Sequence, residues 1–459
     1  MKKNYKNFIY TILIIGAVFT VSSCKKFVEL GAPPTQIGFD DAFKTDASAQ
    51  SVVMGIYSQS SAAVNGFLTY VTFYPGISSD DVQYNGTDAG IQEFSKNALL
   101  STNSFVNNTW GNIYQPIKNT NNAISGITAS TTLTASTKAQ LLGEVKFLRA
   151  YFYFYAVNLF GDIPLPLKDD YSAFENAALP RTPSAQVYEQ IIKDLTEAQA
   201  VLPTTYAGTF RGRANKHAAT ALLARVYLYQ KDYANAEAQA AQVISTGTYS
   251  LPAPELAFIN NSNEIIWQIG NTTGVSVPGN GYVSAAASIP VYSLADGTYQ
   301  SFESTSDLRR ANWTSAKTLG GKIYYSITKY KIGSGTGNEY NVALRLAEQY
   351  LIRAEARAQQ NNLSGAKTDL DAVRLRAGLA GVSPTLTQAQ MLSAVEQERK
   401  MELFGEWGHR WFDLKRTNRA NAVIGSLKPT TWKATSVLYP IPDAQRLINT
   451  ALTQNLGYN

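Results

Sequence analysis

HAATALLARVYLYQKDYANAEAQA, residues 217–240, reads as two helices joined by a short turn. Ala224 and Tyr227 in the first helix and Ala236 in the second occupy positions where tetratricopeptide pairs use small residues so that the two helices can approach closely. The same spacing recurs from Ala354 to Ala366. Each such pair has an apolar side that it cannot hide alone, so neighbouring pairs must stack. The prediction is a mainly α fold: an α-superhelix of tetratricopeptide-like helix pairs, with inserted loop-rich regions containing short β-strands.

Upstream of this pair, Leu141, Val145, Leu148, Phe152, Tyr155 and Leu159 follow steps of three and four, and Thr137 with Gln140 fits a capping box. Tyr151, Tyr153 and Phe154 fill the other faces, which places this helix at the centre, and Gly161 then Pro164 stop it. Further helices are predicted over 184–201, 214–230, 233–245, 341–360, 364–377 and 388–407, with a second capping box at Thr387 and Gln390. Two stretches differ: 64–103 and 247–339 are rich in Gly, Ser, Thr, Asn and Tyr and read as loops and short strands. Ile265, Trp267 and Ile269 alternate as in a strand with one buried face, which puts Trp267 in the core.

With 459 residues, 45% hydrophobic and 16% charged, the chain is too long for one typical core and too apolar for disorder. Forty basic residues face 34 acidic ones, and the excess is spread rather than gathered into a tract, so nucleic acid is excluded as a partner. One Cys and two His exclude an internal disulfide and a Cys/His zinc site; His217 and His409 are read as structural, and no metal or cofactor is expected. GSGTG at 333–337 lacks the Gly-Lys-Ser/Thr of a phosphate loop and reads as a turn, and no serine-nucleophile elbow occurs.

The start of the chain has the layout of an export signal. Lys2, Lys3 and Lys6 precede an apolar run over 8–21, followed by Ser22, Ser23 and Cys24. The run falls short of the roughly 20 residues that a spanning helix needs. Val-Ser-Ser-Cys resembles a bacterial lipobox, which makes 1–23 a signal peptide, Cys24 the acylated first residue, and 24–38 a tether with a Pro-Pro break.

Irregular segments on a rigid frame are where binding groups concentrate. A sugar offers C–H faces and hydroxyls, so its recognition calls for flat rings with Asp or Asn beside them. The first loop stretch supplies Tyr70, Tyr74, Asp80, Asp81, Tyr84 and Asn85, and the second supplies Tyr282, Tyr292, Tyr299, Trp313, Tyr324 and Tyr325. The expected ligand site combines Tyr84 and Trp313 as stacking platforms, Asp80, Asp81 and Asn85 as hydrogen-bonding groups, and Tyr282 and Tyr292. The adjacent carboxylates Asp40–Asp41, Asp80–Asp81 and Asp169–Asp170 are the only support for a glycoside hydrolase, and helix-start or turn roles account for them. Arg353 with Arg357 and Glu396 with Lys400 read as solvated helix faces.

Five segments, EVKFLRAYFYFYAVNLFGDIPLP (144–166), HAATALLARVYLYQKDYANAEAQA (217–240), LRLAEQYLIRAEARA (344–358), ERKMELFGEWGHRWFDLKR (398–416) and YPIPDAQRLINTALTQNLGY (439–458), resemble in content and order the SusD/RagB family of nutrient-binding outer-membrane lipoproteins. The resemblance implies a helical frame over 39–246, interrupted by the 64–103 insertion, a ligand-binding region over 247–339, and a second helical region over 340–459. It also implies a non-catalytic, lipid-anchored, surface-facing receptor in the outer membrane that delivers oligosaccharide or peptide to a SusC-like TonB-dependent barrel transporter. The shared motifs mark the frame and carry over no binding residue. The rivals are a surface glycoside hydrolase and a protein-interaction scaffold.

Overall fold

The computed structural model describes residues 38–60, 66–170, 175, 177–208 and 210–458; the expected signal peptide, the expected acylation site at Cys24 and the expected tether up to residue 37 lie outside them. After a helical turn at Phe39–Ala42 come α1 (Asp46–Ser60), α2 (Phe67–Ser78), β1 (Val82–Tyr84), α3 (Ala89–Lys96), α4 (Ser104–Ala129), α5 (Ala135–Phe160), α6 (Ser184–Val201), α7 (Lys216–Tyr229) and α8 (Tyr233–Ile244). The inserted region holds β2 (Ile265–Ile269), α9 (Val277–Tyr282), β3 (Tyr292–Leu294), α10 (Asp296–Gln300), α11 (Leu308–Trp313), β4 (Thr314–Leu319) and β5 (Lys322–Ile327). Then follow β6 (Asn341–Arg345), α12 (Leu346–Gln359), α13 (Leu363–Arg376), α14 (Gln388–Leu403), α15 (His409–Arg416) and α16 (Ala420–Leu427).

Helices α4 to α8 pack each on the next, α8 meets α12, and α13 and α14 close the stack against α12. The small residues do what the pattern requires: Ala224, Ala236, Ala354 and Ala366 are all fully buried. Burial of α5 runs all round from Phe147 to Val157, with Trp267 of β2 set edge-on to Phe147 and Tyr151 at 4.8 and 5.0 Å between ring centres.

Several local expectations are corrected. Helix α5 starts earlier than Thr137: Thr134 is its N-cap, and Asp46 of α1 accepts hydrogen bonds from Thr134 and Thr137, so the interhelix contact and not a capping box fixes that end. Gln140 donates instead to Glu144. The box at Thr387 and Gln390 is present. Residues 341–345 are strand, because they pair antiparallel with β2, and both strands are buried over their whole length rather than on one face. The 64–103 stretch contains α2 and α3. Every residue of α2 is buried, and a helix enclosed on all sides carries no amphipathic period, so its aromatic and β-branched residues imitate strand. The sequence reading likewise assigns no helix to α1 or α4.

Arg353 and Arg357 do not lie on a solvated face. Both hold the buried carboxylate of Asp369 across the α12–α13 contact, and Arg357 also reaches Glu237 of α8 at 2.8 Å. Glu396 and Lys400 are not partners either: Glu396 pairs with Arg410, and Lys400 with Asp80 at 3.1 Å. A four-stranded antiparallel sheet in the order β1-β3-β5-β4 joins the two inserted stretches.

Candidate binding sites

A cavity of about 1030 Å³ opens between the C-terminal end of α1, the 207–213 segment, the 269–280 segment with α9, and the 334–340 loop. Two partly exposed rings stand in its wall, Phe210 and Tyr340, packed edge-to-face at 4.7 Å, and the buried Tyr57 also lines it. Around them are Asn271, Thr272, Thr273, Asn280, Ser334 and Arg213, with Met54 and Val277 as apolar contributions. The Arg213 guanidinium is fixed by two hydrogen bonds to the buried Glu144, at 3.0 and 2.6 Å; burial works against its charge, and Glu144 outweighs burial, so it stays cationic. Buried Tyr57 accepts from the Ala214 backbone N–H, and its phenol is held far above its usual range, first by burial and then by Glu144. The cavity thus presents two rings, neutral amides and hydroxyls, and one oriented cation. Among the described lining residues there is no Asp or Glu.

The loops that carry this lining are locked by backbone. Gly337 N–H donates to Thr273 O and Glu339 N–H to Gly274 O, both at 2.8 Å. Gly274 has φ of +66°, and a Cβ there would lie 2.0 Å from Gly337 O. Gly274→Ala is therefore expected to separate the two loops and to lower stability by about 1–3 kcal/mol. Thermal unfolding and ligand titration on the one variant check this, and an unchanged melting temperature would show that the loops adjust freely.

A second cavity, about 520 Å³, lies between α2, β1, α10 and α16 and is lined by Asp80, Gln83, Tyr84, Ser95, Lys400 and Lys428 among others. It shares no lining residue with the first. Of the seven residues expected to bind ligand, only Asp80 and Tyr84 reach it. Asp80 is engaged, accepting from Arg410 at 2.6 and 3.0 Å; although burial raises its pKa, Arg410 and Lys400 bring it below the usual carboxylate value. The Tyr84 hydroxyl accepts from the Asp88 backbone N–H, and its ring leans on Tyr292. Asn85 braces strands instead, donating to Pro290 O and Ser293 Oγ at 2.9 Å each.

The remaining expectations are corrected by burial. Trp313 is 1% exposed, donates its indole N–H to Pro254 O at 2.8 Å, and has Lys329, Arg345 and Arg376 over its ring. A face covered by three cations offers nothing to a sugar. Tyr282 donates its hydroxyl to Gly405 O, Tyr292 is stacked on Phe73 at 4.5 Å, and Asp81 accepts from the Gly405 N–H; all three are interior. Tyr70 and Tyr74 are buried as well, while Tyr325 is stacked on Tyr299 at 3.7 Å. Conversely, Phe210 and Tyr340 escaped the sequence reading. The available signal was an aromatic set among glycines, Phe210 between Gly208 and Gly212, and the GSGTG turn three residues before Tyr340.

Comparison with known proteins bears on the whole chain. A family model described as "SusD family" matches residues 267–458, and one described as "Starch-binding associating with outer membrane" matches residues 48–228. SusD-like protein P2 of Formosa agariphila is 28% identical over 508 residues, covering 97% of this chain and 99% of its own. The starch-binding protein SusD of Bacteroides thetaiotaomicron is 26% identical over 69% of this chain and 72% of its own. Among solved structures, a SusD superfamily protein from Bacteroides vulgatus superposes with a TM-score of 0.82 at 19% identity, covering 91% of this chain and 100% of that one. A laminarin-binding SusD-like protein gives 0.77 at 24% identity, covering 90% of this chain and 100% of that one. Among the described residues, no helix is long and apolar enough to cross a membrane.

Proposed function

The chain belongs to the SusD/RagB family, and on that premise we propose that it binds oligosaccharides without cleaving them, in the larger cavity. The observation that carries the reading is the composition of that cavity: two partly exposed rings beside amides and hydroxyls, in a volume well beyond a single sugar, with no carboxylate among the described lining residues. Ring faces suit the C–H surface of a pyranose, and Asn271, Asn280 and the threonines suit its hydroxyls. Glycoside hydrolysis uses two carboxyl groups about 5–9.5 Å apart across the scissile bond, and this lining supplies neither. The names of relatives that bind starch and laminarin favour carbohydrate over peptide.

The wider role follows from the same premise. Acylation at Cys24 would anchor the body to the outer membrane, in keeping with the description of the matching N-terminal model, and bound glycan would pass to a SusC-like TonB-dependent barrel.

Titration calorimetry against neutral plant, host and microbial glycans tests the reading. Phe210→Ala and Tyr340→Ala are each expected to weaken binding about three- to tenfold, the loss of roughly 0.5–1.5 kcal/mol of ring contact. Equal binding by both variants would move the site elsewhere, and sustained release of new reducing ends by the purified protein would overturn the non-catalytic assignment.

A further inference from the structure

The smaller cavity has a charge balance that the neutral-glycan reading does not use. Lys428 follows directly on α16 and turns its ammonium to the end of α2, donating to Ile77 O at 3.2 Å, Ser78 O at 3.3 Å and Asn97 Oδ1 at 2.7 Å. Among the described residues, no carboxylate lies within ion-pair distance of it. The carbonyl end of a helix carries only about half a negative charge, so the ammonium is incompletely balanced. Burial draws its pKa down to about 7, against the opposing pull of Asp80. A second cation, Lys400, lines the same cavity, and its partner Asp80 is already shared with Arg410. Three cations, Lys400, Lys428 and Arg410, thus stand against Asp80 and Glu396, and Glu396 is shared with Arg419 at 3.6 Å. Independently, Ser95 Oγ is a buried hydroxyl in the lining with no hydrogen-bond partner among the described residues. Ser79, Thr298 and Ser426 add further hydroxyls, and Tyr84 contributes a ring.

We propose that this cavity is a second saccharide site, one that takes an acidic sugar through the anionic substituent on its ring, a carboxylate or a sulfate. The anion supplies the counter-charge that Lys428 lacks by Coulomb attraction, since the three Lys428 N–H groups are already engaged, and the Ser95 hydroxyl, unpartnered among the described residues, is free to donate to it. Asp80 does not repel it, because Arg410 and Lys400 already neutralise that carboxylate. The site requires nothing of the larger cavity, so the two fail independently.

The test is calorimetry on the purified protein at low ionic strength with trigalacturonate, its carboxyl-reduced neutral counterpart and a sulfated galactan trisaccharide. At least one acidic probe is expected to bind at least tenfold tighter than the neutral one, and to weaken as salt is added. Which acidic probe binds decides between carboxylate and sulfate. Lys428→Gln is expected to cost the acidic probe at least tenfold. Because Lys428 also caps α2, Ser426→Trp provides an independent block: it fills the cavity from an exposed position and should abolish acidic binding with the melting temperature retained. Failure of wild type to bind either acidic probe, or wild-type affinity in both Lys428→Gln and Ser426→Trp, overturns the proposal.

Discussion

Arg345→Met is expected to lower the unfolding free energy by about 3–5 kcal/mol, the penalty for stranding buried carboxylates whose partner has been removed. Arg345 ends β6 and is 2% exposed. It donates to Glu264 at 2.7 Å and Glu402 at 2.6 Å, and to both oxygens of Glu406 at 2.9 Å. Glu402 is shared with Arg309 and Arg376, and Glu406 with Lys329 at 2.5 Å. Burial would raise the Glu402 pKa, but Arg376, Arg345 and Arg309 together hold it far below its usual value, so the carboxylate remains charged in the interior. Removal of one guanidinium leaves Glu264, Glu402 and Glu406 with too few cations. The measurement is the shift of the urea midpoint followed by tryptophan fluorescence, since Trp313 lies against this cluster. A partial recovery in Arg345→Met/Glu406→Gln would assign the loss to stranded charge rather than to lost packing. A loss below about 1 kcal/mol in the single variant would contradict a buried network and indicate water access.

The same cluster explains what was legible and what was not. Ala224, Ala236, Ala354 and Ala366 announce themselves because close helix approach needs a small residue at a fixed step, a purely local requirement, and all four are buried as read. Trp267 follows from strand alternation for the same reason. Glu398, Glu402 and Glu406 recur at steps of four and look in sequence like a solvated stripe, yet the arginines that bury them come from positions 309, 345, 374 and 376. Nothing within one helix reveals that pairing. Trp313 was misassigned by this same physics: in a Gly-, Ser- and Asn-rich segment it looks available, and only the fold brings Lys329, Arg345 and Arg376 over it. Phe210 and Tyr340, 130 positions apart in the chain, become a pair only once the 207–213 and 334–340 loops meet. The frame is therefore written in short-range periodicity, and the cavities in contacts between segments that sequence spacing does not relate.

Asp81→Asn is expected to stabilise the protein above pH 7 and to flatten the pH dependence of its stability. Asp81 is 2% exposed; one carboxylate oxygen accepts from the Gly405 N–H at 2.8 Å, and the other has no partner among the described residues. Burial, with the neighbouring Asp80 adding to it, raises the pKa to about 7, against the Gly405 hydrogen bond and the charges of Lys329 and Lys400. The unfolded chain keeps the ordinary value near 3.8. Between about pH 4 and pH 7 the folded state therefore binds the extra proton, so stability falls as pH rises through that window. Below it both states are protonated and nothing is lost; above it the ionised, buried carboxylate costs on the order of 2–4 kcal/mol. Asn keeps the acceptor for Gly405 and never ionises. The variant should match wild type most closely near pH 4 and exceed it at pH 8, where urea midpoints are to be compared. The Asp80–Arg410 pair gives the opposite slope, since its carboxylate pKa lies below the ordinary value and its stabilising contribution is lost as pH falls through that lowered pKa. Subtracting the variant's curve from wild type isolates Asp81, and a difference that does not grow between pH 5 and pH 8 would mean that water reaches the unpaired oxygen and that the clamp on Gly405 is open.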